Sequence, residues 1–269
     1  MTEGFDKLAG AIGDTLKTAP TLYEDVLQST TQESGKTLAL IPRAINAALV
    51  PLRQWIAERE YKIAETEKLL AQKLEHVGEE KIVTPEAYVA VPAIQAISYS
   101  MDSVELRNLY ANLLAKSMNS DTKDSVLPSF VEIIKQMSPI DSMVFKTIME
   151  RDVNPIIDLL YAKIEDPKFP IPSVSRNIAI NISDIDIASI ESISVSIDNL
   201  TRLGLIFIPA DKSYTNKRFY NKILSSPYYI EQQQLHPDTS DGFTFYAEQK
   251  MIEKNNLGNA FYTTCVIDF

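Results

Sequence analysis

Apolar residues recur every three or four positions through most of the chain, which is the spacing of amphipathic helices. The longest such stripe follows Pro51, and several of its members are seven residues apart. This spacing indicates a long helix that either packs on its own domain or pairs with a second copy. The residues predicted for self-association are Leu52, Ile56, Ile63, Leu70, Leu74 and Val77.

Two later helix starts carry capping signals. Asp102 with Glu105 has the capping-box spacing, and Ser138-Pro139 places a cap before a proline at the first helical position. A short apolar helix is predicted between them. Its residues are predicted to pack between the two halves of the chain: Phe130, Ile133, Ile134 and Met137.

Beyond Ser138 the pattern first predicts two helices, one over 143–149 and one carrying Ile156, Leu159 and Leu160. An alternating segment at Ile178–Ile187 then indicates extended structure.

The remaining pattern predicts a winged helix. A helix with Ile193, Ile197 and Leu200 ends at Gly204, and an apolar strand over 205–208 follows at once. This order is typical of a recognition helix that joins its wing. The return strand is expected at Phe219–Leu224 or at Tyr246–Glu253, and a final helix at Leu257–Ile267.

These patterns predict a mainly α-helical protein in three parts. Residues 1–36 form a loosely ordered amphipathic arm, because their glycines weaken an otherwise helical spacing. Residues 37–137 form a helical domain with the long amphipathic helix. Residues 138–269 form an α+β winged-helix-like domain.

Composition narrows the function classes. A net charge of −10, with the acidic excess present in both halves, disfavours nonspecific nucleic-acid binding. A single cysteine excludes an intrachain disulfide and fits a reducing cytoplasm, where the protein is expected. The apolar run 38–52 is interrupted by two prolines and an arginine and is shorter than the roughly 20 residues that span a bilayer.

The usual marks of enzyme chemistry are incomplete. Ser34-Gly35-Lys36-Thr37 ends like a phosphate-binding loop, but Thr30 occupies the position of its first glycine. His76 and His236 are far apart in sequence, and Cys265 is expected to be a buried, inert thiol. We therefore predict no catalytic residue, no metal ligand and no cofactor.

The clearest basic and aromatic run lies at 212–222. With one arginine of the recognition helix it forms the predicted wing contact surface: Arg202, Lys212, Lys217, Arg218 and Lys222. The outer face of that helix is predicted to consist of Ser192, Ser194, Ser196, Asp198, Asn199 and Arg202. One Arg and one Asp on this face favour contact with protein over DNA.

Several phrases of the chain resemble a bacterial family called abortive infection alpha. They are Pro51-Leu52-x-x-Trp55, Pro85 and Pro92, Glu105-Leu106-Arg107 with Tyr110–Leu114, Pro128–Gln136 followed by Ser138-Pro139, and Gly258-x-x-Phe261-x-x-x-Cys265. Leu127 stands where the family often has a histidine. The resemblance implies phage defence in which the infected cell stops growing or dies, and it supplies no catalytic residues.

The sequence therefore predicts a non-enzymatic phage-defence factor that contacts a second copy of itself and an unknown phage or host protein. Two alternatives remain open. One is a winged-helix DNA-binding regulator, and the other is a membrane-active effector that uses residues 38–52.

Overall fold

The computed structural model describes residues 63–99, 103–163, 173–179, 189–238 and 242–268. These ranges are mostly helical, with a small antiparallel sheet. They form two compact units, which divide between Ile134 and Lys135; residues 267–268 belong to the first unit. The sequence predicted a boundary between 137 and 138. The predictions made for the arm, for residues 38–52 and for Leu52 and Ile56 lie outside the described residues.

The first unit is built around one buried helix. Its helices are α1 (Ile63–Leu74), α2 (Ala87–Tyr99), α3 (Val104–Ser117) and α4 (Ser129–Lys135). Helix α3 packs against both α1 and α2 and is buried continuously from Leu109 to Ser117. An ion pair of 2.5 Å between Lys73 and Asp268 attaches the end of the chain to α1.

One predicted helix start is wrong by a residue and the other is confirmed. Ser103, not Asp102, caps α3, since its hydroxyl oxygen accepts the Leu106 N–H at 3.2 Å. Serine and aspartate provide equivalent cap oxygens, so the sequence does not distinguish the two neighbours. Ser138 caps the next helix in a full capping box with Asp141, as predicted.

Part of the predicted self-association stripe is buried within the first unit. Leu70 and Leu74 are 2% and 0% exposed. Helix α1 packs on α3, so these two side chains belong to the protein's own core. Self-association through the rest of the stripe stays a prediction.

The four residues predicted to lie between the two halves are all buried: Phe130, Ile133, Ile134 and Met137. Their burial agrees with an apolar packing role. Their place between the halves stays a prediction.

The second unit combines helices and strands. Its elements are α5 (Pro139–Glu150), β1 (Pro155–Lys163), β2 (Ser173–Ile178), α6 (Ile190–Arg202), β3 (Ile206–Phe207), α7 (Asn221–Leu224), α8 (Pro227–Leu235), β4 (Phe243–Met251), β5 (Glu253–Lys254) and α9 (Asn256–Phe261), which continues as a π-helical turn over Tyr262–Val266. The main sheet is antiparallel in the order β2-β1-β4, and β3 pairs with β5. Helix α6 packs on α5 and on β2.

The helix predicted at Ile156, Leu159 and Leu160 is wrong, because these residues lie in strand β1. Ile156, Ile157 and Leu159 are all fully buried, so apolar residues occupy consecutive positions on both faces of this central strand. A short apolar run of this kind has no period that separates a buried strand from a helix.

Of the predicted return strand at Tyr246–Glu253, residues 246–251 lie in β4, which pairs with β1, and only Glu253 lies in β5, which pairs with β3. The other predicted segment, Phe219–Leu224, is helical, since residues 217–224 form a 3-10 turn and α7. Tyr220 and Ile223 from this helical insertion pack against Ile157 and Phe245 and cover one face of the sheet. None of the helices in the described ranges has the length and apolar character needed to cross a membrane.

Helix α9 lies very close to the backbone of Leu205 at Gly258. A Cβ at this position would overlap the carbonyl oxygen of Leu205, which belongs to the backbone and cannot rotate away. Replacing Gly258 with alanine is therefore expected to destabilise the protein by about 1–3 kcal/mol. Urea denaturation measures the change, with the exposed neighbour Asn259→Ala as the control. Equal unfolding midpoints for the two variants would contradict the close approach.

Candidate functional site

The candidate site is a groove in the second unit, with a volume of about 820 Å³. One wall is the outer side of α6 between Glu191 and Arg202. The other is the segment from Lys135 to Asp141, which leads into α5. That segment includes the end of the Pro128–Gln136 phrase and the Ser138 cap.

Asp141 joins the two walls of the groove. Its side chain is 4% exposed. One carboxylate oxygen accepts the Ser196 hydroxyl at 2.6 Å. The other accepts the Ser138 N–H at 2.6 Å and the Asn199 amide at 3.0 Å. A single buried carboxylate, held by neutral donors, therefore fixes α6 to the start of α5.

Arg202 is held at one end of the groove by neutral groups. Its Nε and Nη2 donate to Oδ1 of Asn199 at 3.1 and 2.7 Å, and Nη1 donates to Oε1 of Gln136 at 2.9 Å. The Asn199 amide also donates to the carbonyl oxygen of Gln136 at 3.0 Å. The guanidinium is thus held in one plane by neutral acceptors.

The outer face of α6 presents both charge signs and one apolar side chain. Glu191, Val195, Asp198 and Arg202 follow one another at helical spacing and are all exposed. Val195 is 67% exposed and is the apolar member of this row. The groove therefore carries groups suited to recognition.

A second polar network supports α6 from the sheet. Asp158, in β1, binds Lys250 at 2.6 Å and accepts the Asn177 N–H at 2.8 Å. The Asn177 amide in turn donates to Oδ1 of Asp198 at 2.6 Å. Asn177 has a φ of +54°, a left-handed conformation that asparagine tolerates better than most residues. Burial lowers the pKa of the Lys250 ammonium, but Asp158 and then Glu248 outweigh burial and raise that pKa.

The predicted wing contact residues have separate local partners. Arg202 binds Gln136 and Asn199, Lys212 pairs with Glu253 at 3.2 Å, and Lys217 donates to Ser213 at 3.2 Å and lies 5.7 Å from the centre of the Tyr220 ring. Arg218 and Lys222 are exposed. Their action as one contact surface stays a prediction.

Sequence reasoning missed part of the groove. Ser196 was placed on the outer face of α6, but it is 2% exposed and its hydroxyl is bound to Asp141. From sequence, Gln136 belongs only to the Pro128–Gln136 segment that resembles the family, and Asp141 has no predicted role. The one available signal was the Ser138-x-x-Asp141 spacing of a capping box.

Cys265 is fully buried, as predicted, and burial raises the pKa of its thiol well above the ordinary value. Where the structure describes the chain, no three His, Cys, Asp or Glu side chains are placed to hold a metal ion together.

Comparison with known proteins identifies a family. A family model described as abortive infection alpha matches residues 58–265, which is most of the chain and includes both walls of the groove. Searches of curated proteins and of solved structures found no match.

Proposed function

The chain belongs to the abortive infection alpha family, and on that premise we propose that it is a phage-defence factor that acts through protein contacts rather than catalysis. The family match supports the part of this proposal that concerns phage defence of the abortive type. The mode of action is proposed from the groove beside α6.

The observation that supports a contact role is the way the polar groups of the groove are used. Both carboxylate oxygens of Asp141 already accept hydrogen bonds from the protein's own donors. The groups that face outward are Glu191, Val195, Asp198 and Arg202. Charges of both signs around an apolar side chain can be matched by the complementary charges of another protein.

A second candidate function is a winged-helix DNA-binding regulator. Its support is the order of the elements. Helix α6 ends in a turn at Gly204, where φ is +73°, and leads into β3. Strand β3 pairs with β5, whereas β4, which precedes β5, pairs with β1. We propose a winged-helix-like second unit on this basis. DNA binding ranks lower, because Glu191 and Asp198 on the exposed face of α6 would repel phosphates.

The proposed partners are a second copy of the chain and a phage or host protein, and the proposed location is the cytoplasm. Contact with a membrane through residues 38–52 is a weaker proposal, since that run offers few cations to lipid headgroups.

Phage plating tests the proposal. Bacteria that express the chain are expected to give fewer plaques than bacteria with a frameshifted copy of the gene. At a high ratio of phage to cells, the expressing culture is expected to stop growing without releasing a normal burst. Equal plaque counts, over phages of several types, would contradict the proposed function.

A further inference from the structure

Arg202 is a fixed cation without an acidic partner among the residues that the structure describes. Within the described ranges, its side chain bonds only to the neutral groups of Gln136 and Asn199. The nearest acidic candidate by helical spacing is Asp198, one turn earlier, and its carboxylate is bound to the Asn177 amide at 2.6 Å. The fold thus holds the Arg202 guanidinium in place, while the neighbouring Asp198 carboxylate accepts a hydrogen bond from Asn177.

This arrangement leaves binding capacity on the guanidinium. Three of its N–H groups are engaged, out of the five that an arginine carries. A carboxylate, with two acceptor oxygens and a full negative charge, suits the one N–H that remains on each of Nη1 and Nη2. Because the plane is fixed in advance, binding costs little side-chain entropy.

The side chains near Arg202 indicate which second group a bound segment should carry. Val195 lies seven residues earlier on the same face, about 10 Å along the helix axis. A partner segment that places a carboxylate on Arg202 can therefore place an aliphatic side chain on Val195. That distance corresponds to about three residues of an extended chain or two turns of a helix.

The charges of the groove favour a protein carboxylate over nucleic-acid phosphates. Lys135 and Arg202 line the groove, but Glu191 and Asp198 line it as well. A phosphate backbone would carry a row of negative charges past both acidic side chains. A segment that offers one carboxylate to Arg202 brings a single negative charge near Asp198, instead of a row of them past both acidic side chains.

We propose that the groove binds an acidic, partly aliphatic protein segment, with its carboxylate on Arg202 and its aliphatic side chain on Val195. The inference rests on the proposed function, since it names the partner chemistry of the same groove. The inference concerns peptide binding and the proposed function concerns protection from phage, so either can fail without the other.

The experiment selects binders from a display library of random short peptides, using the purified full chain. Selected peptides are expected to carry Asp or Glu together with Leu, Ile, Val or Met. Replacing that acidic residue of a synthetic peptide by its amide should weaken binding roughly tenfold or more, and Arg202→Gln should do the same. Arg176→Gln, an exposed arginine of the same unit that does not line the groove, is the matched control and should bind like the wild type.

A double-mutant cycle makes the test specific. If the peptide carboxylate meets Arg202, the two changes together should weaken binding about as much as either alone. Additive losses would overturn the proposal. So would a failure to select any peptide, equal binding by Arg202→Gln and Arg176→Gln, or light scattering that shows a dimer broken by Val195→Asp.

Submicromolar DNA binding that is lost in Arg202→Gln would also overturn it, in favour of phosphate. The wild-type plating result separates the two proposals. Protection without peptide binding defeats the inference alone, and peptide binding without protection defeats the proposed function alone.

Discussion

Replacing Phe130 with alanine is expected to lower the free energy of unfolding by about 3–5 kcal/mol. The Phe130 side chain has no exposed surface, so its removal leaves a cavity that the surrounding core fills only in part. Denaturation in urea, followed by circular dichroism, measures the change.

The matched control for Phe130→Ala is Leu127→Ala, three residues earlier. Leu127 is 40% exposed, and its truncation should change stability by no more than about 0.5 kcal/mol. Equal midpoints for the two variants would contradict the buried role of Phe130. A large difference would assign the apolar part of the Pro128–Gln136 phrase to packing.

Local signals predicted the helices well because caps and periodicity act over a few residues. Ser138 caps α5 as expected, and α6 ends before Gly204 as expected. Strand β1 could not be predicted in the same way. Its partner β4 lies almost ninety residues later, and no local pattern specifies a pairing over that separation.

The groove was only partly predictable, because its residues meet through tertiary packing. Arg202 was identified from its charge, but its partner Gln136 lies 66 residues earlier. The same reason explains the error at Ser196: a helix packed on two sides buries polar positions that look exposed from sequence. Leu70 and Leu74 show the reverse case, where an unpaired apolar stripe finds its partner within the chain.

Replacing Asp141 with alanine is expected to destabilise the protein by about 3–5 kcal/mol, because three donors lose a buried, charged acceptor. The buried hydroxyl of Ser196 is the donor least able to turn to water. Asp141→Asn should lie between alanine and the wild type, since an amide keeps one acceptor oxygen of the two. The control is Asp152→Ala, an exposed aspartate with a small expected effect.

The same substitution should also weaken binding in the groove. Asn199 bonds both to Asp141 and to Arg202, so loss of the carboxylate removes one of the two acceptors that hold the amide which orients the guanidinium. Peptide binding and phage protection should therefore fall in Asp141→Ala even at temperatures where the variant remains folded by circular dichroism. If Asp141→Ala unfolds like Asp152→Ala and protects cells fully, Asp141 does not hold α6 in position. The Ser138-x-x-Asp141 box would then be a helix cap alone, without a role in shaping the groove.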